Sequence, residues 1–143
     1  MASAEYRVQL GPWAELQAEA APIRFAVFVN EQKVPAEIEI DEWDEPSLHA
    51  VARDAQGRAV GTGRLLPDGH IGRMAVLAQA RGAGVGSLLL TALAEAARER
   101  GHTEAVLSAQ THAIPFYRRH GFVEEGEVYD DAGIPHQLMR RRL

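Results

Sequence analysis

The pattern of apolar and polar positions changes from alternation to helical periodicity within residues 71–100. There the apolar run IGRMAV leads into the glycine-rich stretch RGAGVGS, after which apolar side chains recur every four residues. Alternation is typical of a strand, and recurrence at four residues is typical of a helix with one buried face. The pattern therefore predicts a strand, a tight turn and a helix that ends at Gly101.

The same two patterns predict the other elements of the chain. Predicted strands cover residues 6–10, 48–53, 59–66, 70–76, 104–109, 122–129 and 136–142, and predicted helices cover residues 13–20, 23–29 and 113–119. Gly11-Pro12 is expected to end the first strand, and Pro22 to begin a new helix. A strand, a helix and a strand in succession imply local parallel pairing, whereas the hairpins pair antiparallel. The prediction is an α/β fold with a mixed, mostly antiparallel sheet.

Residues 31–47 form an acidic run with seven carboxylates. They belong to Glu31, Glu37, Glu39, Asp41, Glu42, Asp44 and Glu45. Such a run is usually a solvated loop. The alternative is that one acid, Glu31 or Glu37, faces a substrate amine as a base or counter-ion. The interspersed Ile38, Ile40 and Trp43 indicate that the loop packs against the protein.

Length and composition narrow the class of protein. At 143 residues the chain is predicted to be a single domain, residues 1–143. A net charge of −5 argues against a general nucleic-acid binder, and the absence of cysteine excludes a thiolate nucleophile, a disulfide framework and a cysteine metal cluster. No signal peptide or membrane span is apparent in the sequence. We expect a cytoplasmic protein without a metal site.

The glycines of RGAGVGS, at positions 82, 84 and 86, let backbone approach a ligand closely. The following helix directs its free N–H groups at the same place, which predicts an anion site, most plausibly for phosphate. A nucleoside-triphosphate P-loop would need a lysine after the last glycine, and a dinucleotide fingerprint would need glycine where Ser87 stands. The remaining match is R-x-x-G-x-G, beginning at Arg81.

This turn resembles the acyl-CoA pyrophosphate turn of the GCN5-related N-acetyltransferase (GNAT) superfamily. Downstream, AIPFYRRHGF at residues 113–122 resembles the superfamily's A-x-x-F-Y-x-x-x-G-F helix. The stretches FAVFVNEQ, IGRMAV, AQTHAIPFY and VYDDAGIPHQLM are similar to its ElaA/YjcF-like branch. These stretches are distributed along the chain from residue 25 to residue 139.

The resemblance implies a GNAT fold with helices flanking the sheet and a splay between the fourth and fifth strands. It also implies acetyl-CoA as the cofactor. The residues it assigns to cofactor binding are Met74, Ala75, Val76, Arg81, Gly82, Ala83, Gly84, Val85, Gly86, Ser87, Gln110, Phe116 and Tyr117. Gln110 departs from the family, since many members have asparagine there.

Catalytic candidates follow from the same resemblance. Tyr117 matches the position that often protonates the departing thiolate, although an amphipathic tyrosine can also pack beneath its helix. Histidines titrate in the range useful for a general base. His112 and His136 lead because they lie in the similar blocks, and His49, His70 or a water chain are alternatives.

Three arginines lie in otherwise apolar stretches, at Arg24, Arg64 and Arg73. Buried arginine needs a partner, so these residues either pair with the acidic run or line the acceptor pocket and bind a carboxylate or phosphate. Glu31 joins them as a candidate substrate ligand.

The resulting hypothesis is an acetyl-CoA-dependent N-acetyltransferase that acts on a small-molecule amine by direct transfer in a ternary complex. Two alternatives stay open. One is an acyltransferase like the homoserine-lactone synthases, which would use an acyl-carrier protein and S-adenosylmethionine. The other is a non-catalytic acyl-CoA sensor. The sequence also leaves the oligomeric state open, a homodimer included.

Overall fold

Seven strands form one sheet in the computed structural model, which describes residues 5–143. They are β1 Arg7–Pro12, β2 Leu48–Arg53, β3 Ala59–Leu65, β4 His70–Val76, β5 Glu104–Gln110, β6 Val123–Asp131 and β7 Ile134–Arg142. The strand order is β1-β2-β3-β4-β5-β7-β6, in which β4 and β5 pair parallel and the other pairs run antiparallel. The predicted α/β fold with a mixed sheet is confirmed. Residues 1–4 of the predicted domain lie outside the described residues.

Helices pack on the sheet and connect its strands. They are α1 Trp13–Arg24, α2 Ala36–Glu39, α3 Val85–Glu99 and α4 Ile114–Arg119, with a π-helical segment at Phe25–Glu31. Between residues 5 and 143, no helix is both long and apolar enough to cross a membrane. The helix predicted after the glycine turn is thus present, and it stops just before Gly101.

The two proline predictions had different outcomes, since the one for Pro22 was wrong and the one for Pro12 was right. Pro22 lies inside α1 rather than at the start of a new helix. Pro22 has no backbone N–H to donate. The helix continues past it, and three residues later the hydrogen bonds change to the π-helical pattern. Pro12 is the last residue of β1, so the strand ends at Gly11-Pro12 as predicted and includes both residues. Because β1 is an edge strand, a proline there costs no ladder bond on its free side.

The closing hairpin turns more tightly than the sequence pattern indicated. Asp131 pairs with Ile134, so the loop consists of Ala132 and Gly133 rather than residues 130–135. Both loop residues have positive φ, 54° and 80°. Two consecutive left-handed residues match the right-handed twist of a hairpin, which lets both strands extend further toward the loop.

The core lies on both faces of the sheet. α3 buries the predicted stripe of Val85, Leu89, Leu93 and Ala97 against one face. On the opposite face α1 packs Leu16 and Ala20 on Val51 of β2. The two helices pack on opposite faces of the sheet and thereby support β4 and the turn that follows it.

The sheet opens between β4 and β5. These strands pair only at His70 with Val106 and at Ile71 with Leu107. Further along, β4 carries a bulge, since Gly72 pairs with Arg64 and Ala75 with Thr62. The extra residue bends β4 away from β5. The predicted splay between the fourth and fifth strands is therefore present.

Candidate functional site

The glycine turn between β4 and α3 lines a surface groove. Gly82 and Gly84 have left-handed φ values of 81° and 82°, and a Cβ added to either would meet no atom within 4 Å. We call this depression the glycine groove; its lining consists of Val76, Ala80, Arg81, Gly82, Gly84, Val85, Gly86, Ser87, Phe116 and Arg119. The backbone at this turn is therefore accessible to a ligand.

Residues 85–87, which line the glycine groove, have free backbone donors. The first backbone hydrogen bond of α3 joins the Leu88 N–H to the Gly84 carbonyl at 3.1 Å. The N–H groups of residues 85–87 precede it and have no helical carbonyl to bond. Together with the positive end of the helix dipole they favour an anion. The turn thus has the two features from which the sequence predicts an anion site, left-handed glycines and free helix N–H groups, and Ala83 lies between Gly82 and Gly84.

Arg81 braces this turn. Its Nε donates to the Val76 carbonyl at 2.9 Å, and its Nη2 donates to the Glu31 carboxylate at 2.7 Å. The guanidinium thus joins the turn to the end of β4 and to the end of the π-helical segment. Glu31 accordingly lies beside the glycine groove and does not line the cavity described next.

A second depression, the central cavity, has a volume of about 370 Å³. Predicted site residues that line it are Arg64, Arg73, Met74, Gln110, His112, Tyr117 and His136. Their elements are far apart in the chain, and the splay of β4 from β5 brings them together. Cavities of this size suit small ligands.

The glycine groove and the central cavity are neighbours that share two elements. On α4, Phe116 lines the groove and the next residue, Tyr117, lines the cavity. On β4, Val76 lines the groove and Met74 lines the cavity, while Ala75 buries its side chain in the core. One elongated ligand could therefore reach from the groove into the cavity along β4.

Tyr117 lines the central cavity with a neutral phenol. Burial raises the pKa of its phenol to about 12. Its ring packs edge-on against Phe116 and Phe122 at centroid distances of 5.1 and 6.1 Å. The phenol is therefore protonated at neutral pH, and the contacts with Phe116 and Phe122 restrict the orientation of its ring.

The structure defines the tautomer of His136, which lines the central cavity. Its Nδ1 lies 2.8 Å from the Ile134 carbonyl, which can only accept, so Nδ1 carries the proton. The neutral ring then has its lone pair on Nε2, where a base needs it. The ring also stacks on Tyr129 at 6.1 Å.

The other histidine candidates differ in position. His112 and His70 line the cavity; His112 is exposed, and His70 lies 3.0 Å from Asp68. His49 lies away from the cavity and is buried, with Nε2 at 2.7 Å from the Asp44 carbonyl. Burial lowers the pKa of His49, and the nearby arginines add to this effect.

Composition predicts a solvated loop for the acidic run, but part of the run is buried. Glu39 and Asp44 are only 2% and 1% exposed. Arg24 donates to both, from Nε to Glu39 at 2.9 Å and from Nη1 to Asp44 at 2.5 Å. Arg64 donates to Asp44 at 3.0 Å and to Asp41 at 2.7 Å. The predicted pairing of the arginines with this run is confirmed, and it explains the burial of the carboxylates.

The acids of this cluster respond differently to burial. For Asp44 and Asp41 burial works to raise the pKa, but hydrogen bonds and charges from the arginines outweigh it and bring the pKa below its usual value. For Glu39 burial prevails, and its pKa lies above the usual value. Asp41 and Asp44 are therefore both ionised at neutral pH, and the buried Asp44 holds Arg24 and Arg64 in place.

The three predicted arginines have different access to the cavity. Arg24 is 1% exposed and lies behind the lining. Arg64 lines the cavity, but both of its terminal nitrogens bond to carboxylates. Arg73 is 29% exposed and makes longer contacts of 3.2 to 3.4 Å. It also occupies the bulge of β4 with a left-handed φ of 48°. Arg73 is thus the arginine most available to a ligand.

Three residues at the site are not among those predicted from the sequence. Gln32 and Gln110 form two hydrogen bonds. Gln110 Nε2 donates to Gln32 Oε1 at 2.7 Å, and Gln32 Nε2 donates to Gln110 Oε1 at 3.3 Å. The pair joins the end of the π-helical segment to the end of β5 at the cavity wall. Arg119 lines the glycine groove, and His120 bonds Ser87 at 2.9 Å. Gln32 stands within FAVFVNEQ, and Arg119 and His120 within the α4 block, so the similar blocks contain all three.

Comparison with known families agrees with this architecture. The model of an acetyltransferase (GNAT) domain matches residues 14–143. This chain belongs to the GNAT family. Its similarity to YjcF of Bacillus subtilis, an uncharacterized N-acetyltransferase, is 44% identity over 86% of this chain and 90% of YjcF.

Solved GNAT structures have the same fold. An acyl-CoA N-acyltransferase from Pseudomonas aeruginosa superposes with a TM-score of 0.85 at 34% identity, covering 95% of this chain and 99% of the other. Escherichia coli ElaA superposes with a TM-score of 0.85 at 30% identity and the same coverage. The protein is therefore a GNAT acyltransferase, and acyl-CoA is the donor that this family uses.

The residues of the glycine groove fit such a donor. Gly82 and Gly84 leave space where a side chain would stand, and the N–H groups of residues 85–87 suit a pyrophosphate. Past Ile71 the β5-facing edge of β4 has no strand partner, so its backbone groups are available to the amides of a pantetheine arm.

Proposed function

We propose that this GNAT protein transfers the acetyl group of acetyl-CoA directly to the amine of a small molecule within a ternary complex. The observation that supports this most is the junction of the glycine groove and the central cavity at Phe116 and Tyr117. Two adjoining depressions can hold both reactants at once. The chain also lacks cysteine, so an acyl-thiol intermediate on the protein has no residue to form on.

Donor binding in this proposal relies on backbone. The N–H groups of residues 85–87 bind the pyrophosphate, and β4 from Met74 to Val76 pairs with the pantetheine arm. Arg81, Phe116 and Gln110 shape the walls. When bound, the thioester supplies an activated acetyl group. The central cavity of about 370 Å³ must hold both acyl group and acceptor, which favours a short acyl chain.

Tyr117 acts as the proton donor to the sulfur. Its pKa of about 12 lies some 3.5 units above that of an ordinary thiol, which corresponds to about 5 kcal/mol against complete transfer. A thiolate forming in the same buried place is destabilised by the same lack of water, so its pKa rises too. Tyr117 Oη therefore donates a hydrogen bond that strengthens as the bond to sulfur breaks.

His136 acts as the base. With Nδ1–H held by Ile134, its Nε2 lone pair can take the proton of the acceptor amine, directly or through one water. His112 is the second candidate, because it lines the exposed side of the cavity and can pass a proton to solvent.

Arg73 binds a carboxylate or phosphate of the acceptor, and Arg64 lines the same cavity. Its long contacts to the acidic run leave donor capacity for a bidentate ligand. Arg24 and Glu31 contribute indirectly: Arg24 holds the acidic run in place, and Glu31 holds Arg81.

The test is release of free thiol from acetyl-CoA across classes of amine, with products identified by mass spectrometry. We expect N-acetylation of small amines that carry a carboxylate, and weak turnover of peptides and of long-chain acyl-CoA. Turnover only with acyl-carrier protein and S-adenosylmethionine would support the synthase-like alternative. Tight CoA binding without turnover of any amine would support a sensor.

A further inference from the structure

The side chains of Ser87 and His120 meet at the edge of the glycine groove. Ser87 Oγ lies 2.9 Å from His120 Nε2, and Ser87 itself lines the groove. The His120 ring packs on Phe116 at a centroid distance of 5.0 Å. Ser87 stands in the first turn of α3, and His120 caps α4, so this contact joins the two helices that border the groove.

The contact has two hydrogen-bonding states. In one, the Ser87 hydroxyl donates to an unprotonated Nε2, and its hydrogen is directed away from the groove. In the other, Nε2–H donates to Ser87 Oγ, and the hydroxyl hydrogen is free to donate to a ligand. An anion in the groove favours the second state, because it accepts that hydrogen bond.

We propose that His120 is a positioning residue for the diphosphate of acyl-CoA, acting through the hydroxyl of Ser87. Nε2–H orients the hydroxyl so that its hydrogen points at a phosphate oxygen. This inference rests on the proposed placement of acyl-CoA in the glycine groove. It adds a residue that does not itself touch the ligand.

The charges around His120 determine the direction of the pH effect. Burial lowers the pKa of His120, and Arg141 on β7 and Arg119 on α4 lower it further, while Ser87 on α3 is neutral. A bound phosphate offsets those positive charges and favours the imidazolium, so the pKa rises on binding. CoA affinity is then highest below the His120 pKa of the free protein, and the gain is lost as pH rises through the pKa of the complex.

The experiment is isothermal titration of the full chain with CoA at several pH values between about 5 and 8, the range in which histidine titrates. The variants are His120→Gln, His120→Phe, Ser87→Ala and the double variant Ser87→Ala/His120→Phe. His102→Gln, in the turn between α3 and β5, is the matched control. Circular dichroism and the melting temperature of each variant verify the fold.

We expect His120→Phe and Ser87→Ala each to weaken CoA binding about tenfold, the loss of one hydrogen bond to a charged group. The double variant should be no weaker than either single one. His120→Gln keeps an N–H donor and should bind CoA like the parent near pH 8, without the parent's additional gain toward low pH. The phosphates of CoA titrate in the same range. Their contribution cancels between parent and variant measured at the same pH.

Two results would overturn the inference while leaving the donor site intact: identical pH profiles for the parent and His120→Gln, or effects of Ser87→Ala and His120→Phe that add in the double variant. A parent protein that binds no CoA at any pH would overturn the proposed function and this inference together.

Discussion

Phe116 and Tyr117 are consecutive residues of α4, and their side chains line different depressions, Phe116 the glycine groove and Tyr117 the central cavity. The change of one residue along a helix turns the side chain by roughly 100°. This relationship places the proposed proton donor where the two reactants would meet.

Tyr117→Phe removes the hydroxyl and keeps the ring packing. We expect turnover to fall roughly 10²- to 10⁴-fold, the usual contribution of a positioned proton donor. CoA affinity should change less than about twofold, because only the hydroxyl is lost. Steady-state kinetics and CoA titration together test this. Tyr6→Phe, away from both depressions, is the control, and unchanged turnover in Tyr117→Phe would remove the role.

His136→Gln removes the proposed base. We expect kcat to fall about 10²-fold or more, the contribution of a general base. CoA affinity should stay unchanged, since His136 does not line the glycine groove. Steady-state kinetics of His112→Gln in parallel show which of the two histidines carries the role, and an unchanged kcat in His136→Gln would assign the base elsewhere.

Arg73→Met retains length but removes the charge and the donors. We expect the KM for acidic acceptors to rise about tenfold or more, the effect of losing a hydrogen bond to a charged group. CoA affinity should stay unchanged, since Arg73 does not line the glycine groove. Arg73→Lys keeps the charge but not the planar guanidinium, so its KM should lie between those of the parent and of Arg73→Met. Equal KM values for all three proteins would exclude acceptor binding by Arg73.

Gly84→Ala tests the glycine groove against a control with the same backbone conformation. Gly84 and Gly57 have φ values of 82° and 79°, and an added Cβ meets no atom within 4 Å at either. Each alanine should cost about 1 to 2 kcal/mol of unfolding free energy. Only Gly84→Ala should also weaken CoA binding, because its Cβ enters the groove. Equal CoA affinity in the two variants would contradict the donor site.

Asp44→Asn leaves Arg24 and Arg64 without their shared buried carboxylate. Breaking a buried pair typically costs about 3 to 5 kcal/mol, which urea unfolding at neutral pH would measure. Because the folded-state pKa of Asp44 is lowered, its contribution is present above the unfolded pKa and is lost as pH falls through the folded one. The variant should therefore lose less stability than the parent on acidification below about pH 4.

The control for that measurement is Glu95→Gln, which removes an ion pair to Arg98 on the exposed side of α3. Exposed pairs contribute about 0 to 1 kcal/mol. A destabilisation of Asp44→Asn no larger than that of Glu95→Gln would mean that the buried cluster does not hold the acidic run in place.

Local pattern was sufficient for most elements and for the donor turn. Alternation located the strands, four-residue recurrence located α3, and the spacing of the glycines indicated an anion site. These features depend on neighbouring residues only, since backbone conformation and the burial of one face repeat with short periods. The similarity of the glycine turn and the α4 block to GNAT proteins also predicted the fold and the class of donor.

Tertiary structure decided what depends on residues far apart in the chain. Composition predicts a solvated loop for residues 31–47. Arg24 nevertheless pairs with Glu39 and Asp44, which lie 15 and 20 positions away, and both carboxylates are buried. Gln32 and Gln110 are 78 positions apart, and Ser87 and His120 are 33 apart. Whether a charged or polar side chain is buried, and what it bonds, depends on which elements the fold packs together. The sequence by itself thus determined the elements, the family and the anion turn, and only the packed sheet with its splay determined the cavity and its polar contacts.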